Sequence, residues 1–478
     1  MQHGFKRNLL IFAGIAAGLF LLFTLTEHSF EGAEIKPVEP WVVTPFILLL
    51  GAIAVGPFIN RHWWEHNYPV VAYTLGALTV LYYIIVLDNV PRLLLTFYEY
   101  VSFITLIGSL FVVAGGIHLK IRGKSAPWEN VTLLGIGAVI SNLLGTTGAS
   151  MLLIRPYLRI NKFRIKPYHV IFFIFIVSNI GGALTPIGDP PLFLGYLKGV
   201  PFFWVISRVW EIWALAVLFL LAMFYVIDSY HFKEATKKQQ AEAMKPDHPE
   251  FTGGHNILYL LIILAAVFIS HPIMVRELIM GAAAFASYYT TKREVHGKNE
   301  FNFHPIQEVA ILFIGIFATM IPALDWLELN SSVLGIVSPG QYYWGTGVLS
   351  SFLDNAPTYL NFLSASFGLH GASVDNVHHM DAILGLATTD ALGLSNPLQP
   401  GAFAVTGETW RYVQAISVAA VFFGACTYIG NGPNFMVKSI AEHSKIEMPS
   451  FFGYIVKYTL PILLPLFIVV WFLFFRNS

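Results

Sequence analysis

"TPIGDPPLF", residues Thr185–Phe193, interrupts a stretch that is otherwise apolar enough to form a membrane helix. Three prolines, one glycine and one aspartate fall within residues 186–191. Proline in a helix interior removes a hydrogen bond and breaks the helix, and a charged side chain at bilayer depth is costly unless it is paired. The stretch therefore predicts a helix that is interrupted inside a membrane, where a polar site is built.

The composition assigns the whole chain to the membrane proteins. Of its 478 residues, 56% are hydrophobic and 12% are charged, whereas soluble domains carry about 25% charged residues. Repeated apolar runs of about 17 to 25 residues predict an all-α polytopic membrane protein. The net charge of zero gives no footprint for nucleic acid. A single cysteine, Cys426, excludes an intrachain disulfide framework and a zinc site built on several cysteines.

The charges of the loops predict eleven spans and two segments that turn back. The basic stretches "HLKIRGK" (118–124) and "RPYLRINKFRIK" (155–166) flank segment 129–154, and both are expected in the cytoplasm. This segment is therefore predicted to be a re-entrant hairpin. Segment 341–369 has no Lys or Arg in either flank and is predicted to be a hairpin entered from outside. The predicted spans are 9–25, 41–60, 69–87, 100–118, 168–197, 200–228, 255–270, 273–290, 306–323, 410–436 and 450–474.

The opening stretch occurs a second time in the chain. Thr427–Phe435 reads "TYIGNGPNF" and matches it at five of nine positions, with an offset of 242 residues. Each copy follows a hairpin with its own polar break, "SNLLGTT" at 141–147 and "SSFLDNAPT" at 350–358. Because the hairpins enter from opposite faces, two inverted-topology repeats are predicted. Secondary transporters are built in this way, and their broken helices meet near the membrane midplane to form the binding site.

The same patterns predict the division and orientation of the chain. Residues 1–40 hold an N-terminal helix and an external segment, 41–228 the first repeat, 229–254 a cytoplasmic linker and 255–478 the second repeat. Lys6 and Arg7 before the first apolar run fit a signal peptide or an uncleaved helix. The absence of a small-x-small cleavage site favours the uncleaved helix. We expect a multi-pass protein of the cell membrane with a cytoplasmic N-terminus.

The polar residues of the four breaks are the candidate site. Sodium binds to a cage of carbonyl, hydroxyl, amide and carboxylate oxygens. Asn142, Asp189, Asp354 and Asn355 are the candidate sodium ligands. Asp354 is the stronger of the two acids because it lies at a hairpin tip, whereas Asp189 could simply cap a helix. The full set of candidates is Ser141, Asn142, Thr146, Thr147, Thr185, Asp189, Asp354, Asn355, Thr358, Thr427, Asn431 and Asn434.

Two motifs carry a family resemblance. "SNIGGALTPIGDPP" (178–191) and "SSFLDNAPTYLNF" (350–362) resemble the D-type sodium/proton antiporters, members of the ion transporter superfamily that also holds citrate, dicarboxylate and arsenite carriers. Ser141–Asn142, followed by two threonines, is similar to the Ser-Asn-Thr hairpin motif of the carboxylate carriers. The second hairpin departs from that motif at Asp354–Asn355. The resemblance implies a homodimer in which hairpins and broken helices move as an elevator against a scaffold.

Two transport functions remain open. Sodium/proton antiport is favoured because no Lys or Arg lies in the four breaks, and a carboxylate in a poorly hydrated site can hold a proton or a sodium ion in turn. The alternative is sodium-coupled transport of citrate or a dicarboxylate, which hydroxyls and amides can also bind. A channel rarely needs inverted hairpins.

An enzyme is not expected from this sequence. The His-Glu-x-x-His motif is absent, and Pro186 stands where a Gly-x-Gly-Asp protease has its first glycine. No P-loop is present, so no ATP-driven pump is encoded in the chain. No cofactor is expected other than sodium as the coupling or transported ion. The expected partners are the lipid bilayer and a small cation with a proton, or a carboxylate.

Overall fold

The computed structural model describes residues 2–30, 33–120, 125–234 and 250–476. Within these residues the regular secondary structure is helical apart from two short paired strands, so the fold is that of an all-α polytopic membrane protein. The predicted cytoplasmic stretches 118–124 and 229–254 extend over residues 121–124 and 235–249, which lie outside the described residues.

The helices and strands are bounded as follows. The α-helices are Gln2–Phe30, Thr44–Ile59, Arg61–Ile85, Val90–Gly115, Pro127–Ile160, Pro167–Ile176, Pro190–Leu197, Phe202–Glu234, Asn256–Val267, Val275–Thr290, Arg293–Lys298, His304–Asn330, Pro339–Phe352, Asn355–Leu369, Val377–Ile383, Trp410–Phe423 and Gly432–His443. The last helix runs over Phe451–Phe475 and contains π-helical turns. The strands are His118–Lys120 and Glu250–Thr252.

By length and composition alone, eight of the described helices could cross a membrane, and one of them, Pro127–Ile160, folds back on itself as described below. They are Arg7–Phe30, Pro40–Pro57, His62–Ile85, Val90–Gly115, Pro127–Ile160, Phe202–Lys233, His304–Leu334 and Phe451–Phe475. Three further predicted spans contain shorter apolar helices, Pro167–Gly182, Asn256–Val267 and Trp410–Cys426. The first and third of these are short because the two repeated stretches interrupt them.

The helix Pro127–Ile160 is a hairpin, called here the first hairpin. Its backbone leaves the helical conformation at Gly145, where φ is 72° and ψ is 157°. The Cβ position of Gly137 lies 3.3 Å from Cδ1 of Leu153. Sixteen residues of straight helix would separate these two positions by about 24 Å. The chain therefore folds back at Gly145.

The two ends of the first hairpin are joined at its base. Asn130 donates a hydrogen bond to Oδ1 of Asn161 at 2.9 Å, and Ser125 donates to the same oxygen. Asn130 also donates to Asp228 at 3.1 Å, and Arg164 and Asp228 form a buried ion pair. The base is thus a closed polar cluster, which fixes the start of the hairpin beside its end. Entry of this hairpin from the cytoplasm stays a prediction.

The second hairpin consists of Pro339–Phe352 and Asn355–Leu369. The Cβ position of Gly345 lies 3.0 Å from Cε1 of Phe362, on the other arm. The arms therefore run antiparallel, and the turn between them is formed by Leu353 and Asp354.

The two broken helices are interrupted at the repeated stretches. The first broken helix ends at Ile176 and resumes over Pro190–Leu197. The second ends at Phe423 and resumes over Gly432–His443. A proline in the first turn does not disrupt a helix, because the amide hydrogens there have no partner within the helix. Pro190 therefore begins a new half-helix rather than kinking a continuous one.

The described chain forms two compact units, and each takes segments from both halves of the sequence. The first comprises Met1–Leu49, Asn60–His118 and Phe251–Pro322, and the second comprises Leu50–Ile59, Leu119–Glu250 and Ala323–Ser478. Both hairpins, both broken helices and all candidate site residues belong to the second unit. The inverted orientation of the two repeats stays a prediction.

The turn of the first hairpin gives a testable prediction for Gly145→Ala. The conformation of Gly145 is one that essentially only glycine adopts, so a Cβ should destabilise the protein by about 1–3 kcal/mol. The thermal unfolding midpoint in detergent should fall. Gly51→Ala is the matched control, because Gly51 lies inside a helix with nothing within 4 Å of its Cβ position. Equal unfolding midpoints for the two variants would contradict the glycine-specific conformation of Gly145.

Candidate ion and substrate site

The four interrupted elements meet at the carboxylate of Asp189, which is only 1% exposed. Thr146, at the tip of the first hairpin, donates to Oδ1 of Asp189 at 2.6 Å. Asn431, in the second broken helix, donates to the same oxygen at 3.0 Å. Asn355, at the tip of the second hairpin, donates to Oδ2 at 2.6 Å. One side chain from each of the other three elements thus binds this carboxylate.

The residues of this centre lie at helix N-termini. Asp189 precedes the half-helix Pro190–Leu197, Asn431 precedes Gly432–His443, and Asn355 begins the second arm of its hairpin. A helix N-terminus carries a partial positive charge, which favours a carboxylate or another anion nearby. The half-helix after Asp189 contributes this charge without free amide hydrogens in its first two positions, because Pro190 and Pro191 have none. The side chain of Asp189 does not cap its own half-helix. It therefore remains available to the two hairpin tips.

Equivalent positions of the two repeated stretches contact each other. Asp189 and Asn431 occupy the same place in the two copies, 242 residues apart, and form the 3.0 Å hydrogen bond. The threonines that begin the copies also make the same kind of contact. Thr185 donates to the backbone oxygen of Asn142 at 2.7 Å, and Thr427 donates to that of Ser351 at 2.6 Å. Each threonine thus fastens a broken helix to the hairpin of its own half.

Ser141 and Asn142 bind backbone groups rather than the centre. Ser141 donates to the oxygen of Val177 at 2.7 Å. Asn142 donates to the oxygen of Gly181 at 2.7 Å and accepts from the amide of Leu184 at 2.9 Å. These contacts join the first hairpin to the irregular backbone of the first broken helix. By joining these two elements, they hold Thr146 and Asp189 in place.

Asp354 has different hydrogen-bond partners from those of Asp189. Asp354 is the N-cap of Asn355–Leu369, and its Oδ1 accepts from the amide of Ala356 at 3.0 Å. Thr358 donates to the backbone oxygen of Asp354 at 2.9 Å, within the first turn of the same helix. Thr147 is half-buried at the tip of the first hairpin. The carboxylate at the meeting point is therefore that of Asp189, and the preference for Asp354 is not supported by the geometry.

A second layer of amides lies behind the centre. Asn434 donates to the backbone oxygens of Gly424 and Thr427, both at 2.8 Å, and accepts from Asn179 at 2.6 Å. The amide of Asn431 also lies 3.2 Å from Oδ1 of Asn179. Asn179 is fully buried and was not among the predicted site residues. The available signal was its "Ser-Asn" pair inside an apolar run, the same pair that marks Ser141–Asn142 in the first hairpin.

The donor set fits two kinds of ligand. Oδ1 of Asn355 is buried and has no hydrogen-bond partner among the described residues, although its amide nitrogen binds Asp189. Amide, hydroxyl and carboxylate oxygens side by side suit sodium. The hydroxyl and amide donors and the helix N-termini suit a carboxylate. The side chains therefore fit a sodium ion, and they also fit an anion once the charge of Asp189 is balanced.

Comparison with known protein families gives a match. The chain matches the family described as "Putative citrate transport" over residues 35–475. This range includes both hairpins, both broken helices and the whole candidate site. Among curated proteins, none matches the chain. The description names citrate, which agrees with the second of the two functions that the sequence left open, whereas the resemblance to D-type antiporters stays a prediction.

The duplicated threonines predict matched losses of stability. Thr185→Val and Thr427→Val should each lower the free energy of unfolding by about 1–3 kcal/mol, because each leaves a buried backbone oxygen without its donor. Besides donating, each hydroxyl accepts from a glycine amide, at 3.0 Å for Thr185 and 3.1 Å for Thr427. Thermal unfolding in detergent measures both losses. The serine variants keep the hydroxyl and serve as controls; a loss with Val no larger than the loss with Ser would contradict these contacts.

Proposed function

The chain belongs to the citrate transport family that it matches over residues 35–475, and from this premise we propose that it is a sodium-coupled transporter of citrate or a similar di- or tricarboxylate. The observation that supports this proposal is the buried carboxylate of Asp189, held by three donors beside the unpartnered oxygen of Asn355. A transporter embedded in the membrane by many helices is consistent with the family and with the fold.

The charge of Asp189 provides the reason for coupling. Two like unit charges 4 Å apart repel each other by about 4 kcal/mol at an effective dielectric constant of about 20. That repulsion corresponds to a loss of nearly a thousandfold in affinity for a carboxylate bound beside Asp189. No Lys or Arg in the four breaks offsets it. A sodium ion held by Asp189 and the free oxygen of Asn355 would offset the repulsion. Sodium binding therefore precedes or accompanies carboxylate binding.

The carboxylate is bound by neutral donors and helix ends. The donors at the centre are the hydroxyl of Thr146 and the amides of Asn355 and Asn431, and a bound carboxylate would share them with Asp189. The N-termini of the two half-helices add partial positive charge, as in transporters whose discontinuous helices point at anionic substrates. In this proposal the second compact unit, which contains every site residue, is the moving body of an elevator. The protein is a homodimer in the cell membrane with its N-terminus in the cytoplasm and no organic cofactor.

Sodium/proton antiport is the second candidate. The observation that favours it is the same one, since a buried carboxylate with no cationic partner from the four breaks can hold either a proton or a sodium ion. In that case the hydroxyls and amides complete a cation site and no carboxylate enters. The two candidates differ in what crosses the membrane with sodium.

Transport by the purified protein in liposomes separates the two functions. The vesicles carry an internal pH dye and receive sodium, lithium, citrate or succinate in turn. We expect saturable uptake of radiolabelled citrate or succinate that requires a sodium gradient. A sodium-dependent pH change without uptake of either carboxylate would overturn the proposal in favour of antiport.

Replacing the two acids tests which of them carries the ion. Asp189→Asn removes the charge and presents an amide group to three donors, so sodium-dependent transport should be abolished. Asp354→Asn is the matched control, because Asn caps a helix about as well as Asp. This variant should keep its unfolding midpoint and its sodium dependence. The assignment is wrong if Asp354→Asn abolishes the sodium dependence while Asp189→Asn keeps it.

A further inference from the structure

Two histidines lie side by side at the start of the helix Arg61–Ile85, outside the site described above. His62 and His66 are one helical turn apart, and their rings stack with centroids 4.5 Å apart and an interplanar angle of 29°. Both side chains are exposed. The first turn that carries them is capped, since Oδ1 of Asn60 accepts from the amide of Trp63 at 3.0 Å. The pair is therefore held on an ordered helical turn.

The hydrogen bond of His66 determines which ring nitrogen is available. Nδ1 of His66 lies 2.8 Å from the backbone oxygen of His62. A carbonyl oxygen only accepts, so Nδ1 carries the proton and Nε2 carries the lone pair. Histidines that bind metals commonly donate their second N–H to a carbonyl oxygen in this way, which fixes the tautomer and the ring orientation.

We propose that His62 and His66 together bind a divalent transition-metal ion, with water at the remaining positions. Imidazole nitrogens suit zinc, copper and nickel, and two histidines at positions i and i+4 of a helix can bind one ion. Glu65 lies three residues after His62 on the same helix face and adds negative charge nearby. Within the part of the chain that the structure describes, no group of three or more His, Cys, Asp or Glu is placed to hold a metal. The ion is therefore held by two protein ligands and exchanges with solution.

The two histidines share no residue with the candidate transport site. The helix that carries the two histidines belongs to the first compact unit, whereas Asp189 belongs to the second. The pair lies in the first turns of the candidate span His62–Ile85, at the end that the predicted order of spans places on the cytoplasmic side. The ion bound there would therefore come from the cytoplasmic side.

His443 provides a matched single-histidine control. It is exposed, and its Nδ1 lies 2.8 Å from the backbone oxygen of Ser439, the same bond that His66 makes. The positions four residues away on either side are Ser439 and Glu447. His443 thus shares the tautomer and exposure of His66 but has no second imidazole beside it.

The test is metal binding by the full-length, tag-free protein in detergent. Zinc affinity is measured by equilibrium dialysis, and bound Cu²⁺ is examined by electron paramagnetic resonance for coupling to two nitrogens. His62→Ala and His66→Ala should each weaken the tightest site by at least about tenfold. The double variant should lose affinity by less than the product of the two single fold-losses, since one ion uses both rings. His443→Ala should leave the affinity and the two-nitrogen spectrum unchanged.

Two results would overturn the inference. One is wild-type affinity in both His62→Ala and His66→Ala. The other is an equal loss in His443→Ala, which would mean that isolated surface histidines account for the binding. Retained thermal unfolding midpoints in all variants separate loss of the site from loss of the fold. None of these measurements uses transport, so the result does not depend on the proposed function.

Discussion

The buried carboxylate of Asp189 is the constraint on which the second compact unit depends. A buried charge is tolerated only when it is paired or hydrogen-bonded, and each hydrogen bond to a charged group contributes about 1.5–3 kcal/mol. Its three donors, Thr146, Asn355 and Asn431, come from three separate elements of the chain. None of these elements can withdraw without leaving the carboxylate short of a donor. The requirement to satisfy one charge thus holds two hairpins and two broken helices together.

The interrupted backbone around this centre imposes a second requirement. Backbone groups that are not paired within a helix must find partners, because a membrane offers none. Side chains supply them here: Thr185 and Asn142 bind backbone in the first half, and Thr427 and Asn434 do so in the second. The polar residues of the breaks therefore serve two purposes. Most of them pair with backbone groups, and three of them donate to the carboxylate of Asp189.

The same geometry would favour a cation over a bare anion in the candidate site. The centre has a carboxylate and neutral donors, and the four breaks contain no Lys or Arg. A bare di- or tricarboxylate is repelled by such a site, whereas a cation is attracted. A citrate transporter with this centre would need a cation to accompany its substrate. The features that first suggested antiport thus also explain why a carboxylate carrier of this family would be coupled to sodium.

Local sequence determined where the helices are interrupted. Apolar runs, prolines and a repeated nine-residue stretch were sufficient to predict an all-α polytopic membrane protein, which the structure confirms. They also selected four of the five side chains that bind or surround the central carboxylate, because these four are polar residues in the breaks of apolar runs. The four are Thr146, Asn355, Asn431 and Asn434. Asn179 lies in an apolar run as well, but outside the four breaks.

Tertiary structure decided which of these residues meet. Asp189 and Asp354 are both acids that precede a helix after a polar break, and local sequence does not distinguish them. Asp354 turns to the amide of Ala356 and caps its own helix. Asp189 instead accepts from Asn355 and Asn431, which are 166 and 242 residues away along the chain. Contacts over such separations depend on how the hairpins and broken helices pack. That packing cannot be predicted from the local sequence around Asp189 or Asp354 alone.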